Sequence, residues 1–251
     1  MKKILVIQTA SIGDVILATP VIEKLHVFFP DAQIDLLVKK GNEGLFTDHP
    51  FLNNIIIWNK AKRKYVNFGW IFYDVRKNHY DAVINMQRFL STGILTAFSG
   101  AKNRIGFSKN PFSCLFTSRI KHEIHENLHE VDRNVILIEK LTDNTKAKPK
   151  LYPSAKDYKK VNSYKNQVYY TISPGSLWFT KKFPVDKWVQ FVSKIEKDAN
   201  IIFLGSKGDH EICDKIIQLS GHKNAVNMSG HLSFLESAAL MKDAKMNFTN
   251  D

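Results

Sequence analysis

The chain has 251 residues, of which 44% are hydrophobic and 24% are charged, and its formal net charge is +12 at pH 7. This composition is typical of a globular protein with a sizeable core, and no apolar run approaches the ~18 residues that a membrane-spanning helix needs. The start, Met1-Lys2-Lys3, leads into too few apolar residues for a secretory signal, which predicts a cytoplasmic protein. Cys114 and Cys213 have no metal-ligand or redox spacing, so we expect reduced thiols.

Short apolar runs alternate with longer amphipathic patterns in the first half of the chain, which is typical of βαβ units around a parallel sheet. We predict strands at 4–7, 34–38, 55–58 and 82–85, a helix after the first strand and another helix at 129–141. Pro20 lies inside the first helical pattern and predicts either a kink or a new helix capped by Thr19.

A polar, lysine-rich stretch at 142–166 is interpreted as an interdomain connection, after which the alternation restarts. The predicted strands are 168–173, 201–204 and 246–248, and the predicted helices are 186–197, 211–219 and 235–242. Three strands are few for a covered parallel sheet, and the last strand lacks the helix that would pack over it. We therefore expect a C-terminally truncated chain.

The segment TASIGDVILATP, at 9–20, places one acid, Asp14, after small residues at the end of the first strand. Ligands of open α/β sheets bind beyond the carboxyl ends of strands, and Gly13 permits a tight turn before Asp14. Asp14 is either a functional acid or a residue that stabilises a helix N-terminus, and the segment alone favours the second role. The glycine fingerprint G-x-G-x-x-G is absent, which disfavours a nicotinamide cofactor.

The segment SPGSLWFTKKFP, at 173–184, also follows a predicted strand. Gly175 and Ser176 would allow close approach of an anion, and Lys181 and Lys182 follow them. This arrangement suits a diphosphate clamp, although a loop with two surface lysines is an equally good interpretation.

A third segment, LGSKGDHE at 204–211, contains Asp209 and Glu211, which could accept a bond from a ribose hydroxyl or cap the next helix. The chain has no D-x-D pair, which often holds a metal–diphosphate complex, and no zinc-like histidine spacing. We therefore predict a metal-independent site.

The stretch 82–122 has no acid, and all six arginines of the chain lie within residues 1–150. The cations of this stretch are Arg88, Lys102, Arg104, Lys109, Arg119 and Lys121, and they are interspersed with five phenylalanines. Arginine and aromatic residues suit a phosphorylated or membrane-surface partner, and a solvated basic surface is the alternative. No helix-turn-helix, zinc-finger or aromatic RNA-binding signature occurs, which disfavours nucleic acid.

Taken in order, these segments resemble glycosyltransferase family 9, the ADP-heptose:lipopolysaccharide heptosyltransferases. ILVIQTASIGDVILATPVIEKL is similar to the family's N-terminal motif, and RIGF at 104–107 and HEVDRN at 129–134 are similar to further elements of its first domain. SPGSLWFTKKFP is similar to the family's loop ending in Lys-x-Trp-Pro, with Phe183 in place of the tryptophan. NMSGHLSFLESAALMKDAKMNFTND resembles the segment that leads into the motif T-N-D-S-G-P-x-H, whose Ser, Gly and His are absent here.

The resemblance implies a GT-B fold of two Rossmann-like domains with parallel sheets. These would be an acceptor-binding domain at 1–155 and a truncated nucleotide-sugar-binding domain at 165–251. The implied reaction is an inverting, metal-independent transfer of heptose from ADP-heptose to a lipopolysaccharide inner-core acceptor, with no cofactor besides the nucleotide-sugar donor.

The resemblance also implies roles for particular residues. Asp14 would be the catalytic base, and Lys181 would neutralise the departing diphosphate. The implied donor-binding residues are Gly175, Ser176, Asp209, Leu232 and Asp251. The implied acceptor-binding residues are Gly13, Arg88, Arg104 and Arg133.

The implied partner is a lipid-linked anionic glycan, reached by peripheral contact with the cytoplasmic face of a bacterial inner membrane. We expect a monomer and no nucleic-acid partner. Two alternatives remain open, namely the same family with another donor sugar or acceptor, and an inactive truncated fragment that only binds an anionic glycolipid. A nucleotide-sugar epimerase is disfavoured by the missing glycine fingerprint.

Overall fold

The structure is a computed structural model, and it describes residues 1–61, 63–123, 129–176 and 178–250. Its internal contacts divide the chain into two compact units, Met1–Tyr152 and Pro153–Asp251. Within the described ranges, no helix is both long enough and apolar enough to cross a membrane.

Six strands of the first unit are found among its described residues, and the four predicted strands are confirmed. The strands are β1 (Lys3–Gln8), β2 (Gln33–Lys39), β3 (Leu52–Trp58), β4 (Ala82–Asn85), β5 (Asn103–Phe107) and β6 (Ser118–Ile120). The helices are α1 (Ile12–Ile16), α2 (Thr19–Phe28), α3 (Lys64–Lys77), α4 (Leu90–Ala97) and α5 (Glu130–Ile136). The helix predicted at 129–141 is thus shorter than expected, because turns follow Ile136.

The strands of the first unit form one parallel sheet in the order β3-β2-β1-β4-β5-β6. Its central strand is apolar on both faces, since Ile4 and Val6 pack into one core cluster and Leu5 and Ile7 into the other. Such strands belong to parallel sheets that are covered on both sides. The chain order reverses between β1 and β4, and this switch point is where open α/β sheets bind ligands.

Pro20 marks the start of a new helix. α1 ends at Ile16, and Pro20 lies in the first turn of α2. The predicted cap, Thr19, is wrong by one residue, because Ala18 occupies the N-cap position. The Thr19 hydroxyl instead donates to the Ile16 carbonyl at 2.8 Å, which closes the link between the two helices.

In the described part of the second unit, four parallel strands form a sheet in the order β10-β7-β8-β9. These strands are β7 (Tyr169–Ser173), β8 (Asn200–Phe203), β9 (Ala225–Asn227) and β10 (Met246–Thr249). The helices are α6 (Ala155–Val161), α7 (Val185–Val192), α8 (His210–Ser220) and α9 (Phe234–Lys242). The switch point of this sheet lies between β7 and β10, because β8 and β9 continue the chain order on the other side of β7.

The stretch 142–166, which the sequence analysis interprets as an interdomain connection, contains a helix, and the boundary between the two units lies within it. α6 forms within it, capped by the Ser154 hydroxyl, which accepts a hydrogen bond from the Asp157 backbone N–H. Val161 at its end is buried beside Ala239 and Leu240 of α9. Burial of this one apolar residue and the cap together stabilise the helix. The many lysines of the stretch leave it without the apolar periodicity by which a helix is predicted from sequence.

A buried histidine is expected to make the first unit sensitive to acid. His49 accepts a hydrogen bond from the Phe51 backbone N–H at 3.2 Å, and its ring lies 4.8 Å from the Tyr152 ring. Burial, followed by the charge of His26, lowers the pKa of His49 from 6.5 to about 4. The unfolded chain therefore takes up a proton at a higher pH than the folded unit does, which weakens folding as the pH falls.

Between pH 6.5 and 4 we expect the unfolding free energy of the first unit to fall by about 1–2 kcal/mol through this group, after allowance for solvent screening. The measurement is urea unfolding followed by hydrogen exchange at amides of β2 and β3. In His49→Asn, whose side-chain oxygen can still accept from Phe51, this part of the pH dependence should vanish. An unchanged slope in the variant would contradict the prediction.

Candidate active site

Asp14 lies at the third residue of α1, just beyond the carboxyl end of β1. Its Oδ2 atom accepts hydrogen bonds from the Ser11 backbone N–H, at 3.1 Å, and from the Ser11 hydroxyl. The helix-stabilising role that the sequence favours is therefore present in the structure. The same contacts fix the orientation of the half-buried carboxylate, so they are compatible with a chemical role as well.

Two buried glutamines join β1 and β4 beside Asp14. Gln87 Nε2 donates to Gln8 Oε1, and Gln8 Nε2 donates to the Asp14 carbonyl at 3.4 Å. Because β1 and β4 flank the switch point, these contacts place Asp14 where a ligand of this sheet would bind. Sequence analysis did not identify either glutamine.

Lys60 is a further cation at this edge of the sheet that sequence analysis missed. Its Nζ donates to the Thr9 hydroxyl at 2.9 Å and lies 4.6 Å from the centre of the Trp58 ring. Burial lowers the pKa of Lys60, and the charges of Lys39 and Lys64 lower it further. Lys60 follows β3 and Thr9 follows β1. Because both residues come after strands of one parallel sheet, this placement in the sequence could have identified Lys60 as a site residue.

Two of the predicted acceptor-binding arginines are brought near one histidine. His122 is buried, and burial lowers its pKa, with further lowering by the charges of Arg88, Arg133 and Lys109. Arg133 also pairs with Glu130. These cations give this part of the first unit a positive potential suited to an anionic ligand.

Arg104 lies elsewhere. It pairs in register with Val83, near the amino end of β5, whereas Asp14 follows the carboxyl end of β1. Its guanidinium donates to the carbonyls of Ala101, at 2.7 Å, and Leu115, at 3.1 Å. These bonds tie Arg104 to its own loops, so the geometry gives its predicted contact with the acceptor no support.

The tight turn expected at Gly13 is not formed, because α1 already begins at Ile12 and Gly13 is its second residue. A Cβ atom built at Gly13 would meet no atom within 4 Å. Gly13 is exposed, so the space beside Asp14 is open to a ligand.

In the second unit, the loop 174–184, called here the lysine loop, is held at both ends by Asn250. The Asn250 side chain donates to the Pro174 carbonyl and accepts from the Phe183 backbone N–H at 3.2 Å. Asn250 follows β10 and the loop follows β7, so both lie at the switch point of this sheet. Sequence analysis singled out the next residue, Asp251, which lies outside the described residues, and missed Asn250.

The lysine loop borders a cavity of about 870 Å³, and both of its lysines, Lys181 and Lys182, line the cavity with Asn250. Lys181 ends a short 3-10 turn that begins at Phe179. The Ser176 hydroxyl accepts a hydrogen bond from the Trp178 N–H at 3.3 Å, which shapes the loop before this turn. The loop thus presents two ammonium groups beside the cavity.

Two of the predicted donor-binding residues, Gly175 and Asp209, are in close contact. A Cβ atom at Gly175 would lie 2.2 Å from Asp209 Oδ1, and one at Gly205 would lie 2.9 Å from Asp209 Cβ. Asp209 Oδ2 accepts from the Ser206 N–H at 2.8 Å and from the Ser206 hydroxyl at 2.7 Å. Leu232 is half-buried and packs against the core under α9.

Among the described residues, no group of three or more His, Cys, Asp and Glu side chains could hold a metal ion.

Gly175→Ala is expected to destabilise the second unit by about 1–3 kcal/mol, because the added methyl group must displace the Asp209 carboxylate. The backbone at Gly205 lies close to the Asp209 side chain and leaves it little room to move. Gly208→Ala is the matched control, since its nearest atom, Ser206 Oγ, would lie at an ordinary 3.5 Å. Urea unfolding followed by hydrogen exchange in α8 measures both variants. Equal stability of the two would contradict the packing described for Gly175.

Two parallel-sheet units of Rossmann type, each with polar side chains at its switch point, define the GT-B class of glycosyltransferase fold. The family model of glycosyltransferase family 9 (heptosyltransferase) matches residues 71–251. The chain belongs to this family.

Curated relatives agree with that assignment, and solved structures share the fold. Lipopolysaccharide core heptosyltransferase OpsX of Haemophilus influenzae is 26% identical over 263 residues, which cover 100% of this chain and 74% of that protein. Lipopolysaccharide heptosyltransferase 1 of Campylobacter coli is 26% identical over 132 residues, which are 53% of this chain and only 37% of that protein. The family 9 glycosyl transferase of Veillonella parvula superposes with a TM-score of 0.87 at 20% identity, over 100% of this chain and 75% of that one. For the ADP-heptose heptosyltransferase II of Escherichia coli the TM-score is 0.80 at 19% identity, over 100% and 79%.

Proposed function

We propose that the protein is an inverting, metal-independent glycosyltransferase that moves heptose from ADP-heptose to a lipopolysaccharide inner-core acceptor. The observation that carries the proposal is the position of Asp14, which lies at the switch point of the first sheet with its carboxylate oriented by Ser11. Family membership and the heptosyltransferase relatives support the same reaction class.

In the proposed reaction Asp14 is the general base. It takes the proton from an acceptor hydroxyl while that oxygen attacks the anomeric carbon of the donor, and the bond from this carbon to the diphosphate oxygen breaks. A single displacement of this kind inverts the configuration at the anomeric carbon. Because Asp14 Oδ2 accepts hydrogen bonds from Ser11, the carboxylate has a fixed orientation and is preorganised for proton transfer.

The second unit would hold the donor. Lys181 would neutralise the charge that develops on the departing diphosphate, and Ser176 and the backbone at Gly175 would bind its oxygens. Asp209 would accept a bond from the ribose, and Leu232 would contact the adenine. The lysine loop and Asp209 both follow strands of one parallel sheet, which supports a shared ligand.

The first unit would hold the acceptor, a lipid-linked glycan with anionic groups. Arg88, Arg133 and Lys60 supply positive charge at the carboxyl ends of its strands, and the open space at Gly13 admits a sugar. Such an acceptor would be met by peripheral contact at the cytoplasmic face of the inner membrane. A monomer suffices for this reaction.

A second candidate is the same reaction with a different donor sugar or acceptor. The candidate residues favour it, because their charges would bind the diphosphate and the anionic acceptor. None of them is assigned a contact with the transferred sugar itself. An inactive fragment that only binds an anionic glycolipid is the third possibility, and it predicts no nucleotide binding by the second unit.

Calorimetry with ADP and a transfer assay with ADP-heptose and inner-core acceptor test these candidates. We expect micromolar ADP binding and transfer with inversion at the anomeric carbon. Transfer from another nucleotide-sugar in preference to ADP-heptose would favour the second candidate. Absence of ADP binding would overturn the proposal and leave the inactive fragment.

A further inference from the structure

Helix α3 presents an apolar stripe to solvent. Val66, Trp70 and Tyr73 are 55%, 69% and 60% exposed, and their spacing places them on one face. Its opposite face is buried through Ile71 and Val75. A surface helix normally has a polar face toward solvent. A row of large apolar side chains on that face indicates that another molecule binds there.

Cations lie at both ends of α3. Lys64 begins the helix, and in its last turn Lys77 is exposed, whereas Arg76 donates to the Phe98 carbonyl at 2.7 Å. The acid of the helix, Asp74, is engaged locally, because its Oδ1 accepts from Asn78 Nδ2 at 3.2 Å. Aromatic side chains flanked by lysine and arginine are typical of helices that lie in the interface of an anionic membrane.

Another side of α3 borders an apolar cavity of about 640 Å³. Tyr65, the neighbour of Val66, is 83% exposed and lines this cavity together with Trp58, Phe68 and Phe89. Lys60 also lines it, and Lys60 donates to Thr9 in the loop that leads to Asp14. α3 thus carries apolar side chains both on its outer stripe and beside a cavity whose Lys60 contacts the loop that precedes Asp14.

We propose that the outer face of α3, formed by Val66, Trp70 and Tyr73 with the flanking cations, docks the protein on an anionic lipid bilayer. The inference deepens the proposed function, since a lipid-linked acceptor requires such a surface. A second copy of the chain is a poorer occupant, because each copy carries a net charge of +12 and cations beside the stripe. A bilayer of anionic lipids has the complementary charge.

The acid-free stretch 82–122, which the sequence suggested for such a surface, is exposed only in part. Phe89 and Phe98 within it are exposed, whereas Phe107 and Phe116 are buried. The apolar residues exposed in a row lie on α3, which precedes that stretch.

The test is sedimentation with vesicles of phosphatidylglycerol and phosphatidylethanolamine, compared with vesicles of phosphatidylcholine alone. We expect the wild type to bind the anionic vesicles, and the double variant Trp70→Ser/Tyr73→Ser to partition at least about tenfold less. The matched control is Val27→Ser/Leu219→Ser, whose residues are 72% and 59% exposed on α2 and α8. This control should bind as the wild type does.

A second measurement does not depend on the double variant. In a Trp178→Phe background, Trp70 is the large exposed tryptophan, since Trp58 and Trp188 are buried. Its fluorescence should be quenched by brominated lipids in anionic vesicles. Equal vesicle binding by wild type and double variant, or self-association through the stripe without vesicle binding, would overturn the inference.

Activity separates failure of this inference from failure of the proposed function. Transfer to an acceptor embedded in vesicles should fall at least about tenfold in the double variant, whereas transfer to a deacylated, water-soluble acceptor should be unchanged. Equal transfer to both acceptors by both proteins would refute docking by α3 and leave the glycosyltransferase intact. Vesicle binding without transfer to either acceptor would refute the proposed function and leave docking intact.

Discussion

Asp14→Asn is expected to lower kcat by about 10²- to 10⁴-fold, the usual contribution of a general base. Asparagine has the size of aspartate, and its side-chain oxygen can still accept a hydrogen bond from the Ser11 N–H. It cannot take up the proton of the acceptor hydroxyl. Steady-state transfer kinetics with ADP-heptose and acceptor give the measurement, and ADP binding should persist.

The chain offers a matched control for the structural role of Asp14. Asp157 forms the same capping box in α6, where its Oδ2 accepts from the Ser154 N–H at 2.6 Å and from the Ser154 hydroxyl at 2.7 Å. Each Asp→Asn variant should lose about 0.5–1 kcal/mol of stability from its weakened cap. Only Asp14→Asn should lose turnover, and normal turnover in that variant would reduce Asp14 to a helix cap.

Lys181→Met is expected to lower kcat by about 10²- to 10³-fold, because one preorganised charge would no longer oppose the negative charge that develops on the departing diphosphate. Methionine keeps most of the aliphatic stem, so the lining of the cavity changes little. The acceptor KM should change less than kcat, since the lost contact is on the donor.

Lys182→Met is the control, because Lys182 lies on the same loop and lines the same cavity. We expect its loss to change kcat by less than about fivefold, as for an exposed charge without a defined partner in the transition state. Equal losses in the two variants would show that the loop acts through its overall charge and not through Lys181 in particular.

Much of the fold was accessible from the sequence because the central strands are continuous apolar runs. The strands that escaped prediction have no such run. β5 begins with Asn103 and Arg104, and β6 and β9 have three residues each. These strands form because they pair with neighbours already in the sheet, and periodicity within a short window does not report that pairing.

The local contacts of the candidate site were predicted in part. The segment that contains Asp14 indicated its helix-capping role, because capping depends on a neighbour three residues away. Its role as a base was implied by the family resemblance and stays a prediction. Gln8 and Gln87 escaped because their contact joins residues 79 positions apart. Asn250 escaped for the same reason, since the Pro174 carbonyl that it binds lies 76 positions earlier.

The basic stretch gave a mixed result for an identifiable reason. Charge pattern does not distinguish a guanidinium directed at a ligand from one that satisfies carbonyls of its own loops. Arg104 is of the second kind, whereas Arg88 lies near other cations around His122.

The anchoring of the lysine loop by Asn250 has a consequence for synthesis of the chain. The first unit ends at Tyr152, and Asn250 is made 98 residues later, roughly 5 to 20 s at ordinary rates of translation. During that interval the first unit can fold, while the lysine loop lacks the side chain that ties its two ends together. Ribosome-bound chains stopped before Asn250 should therefore carry a folded first unit beside an unanchored lysine loop.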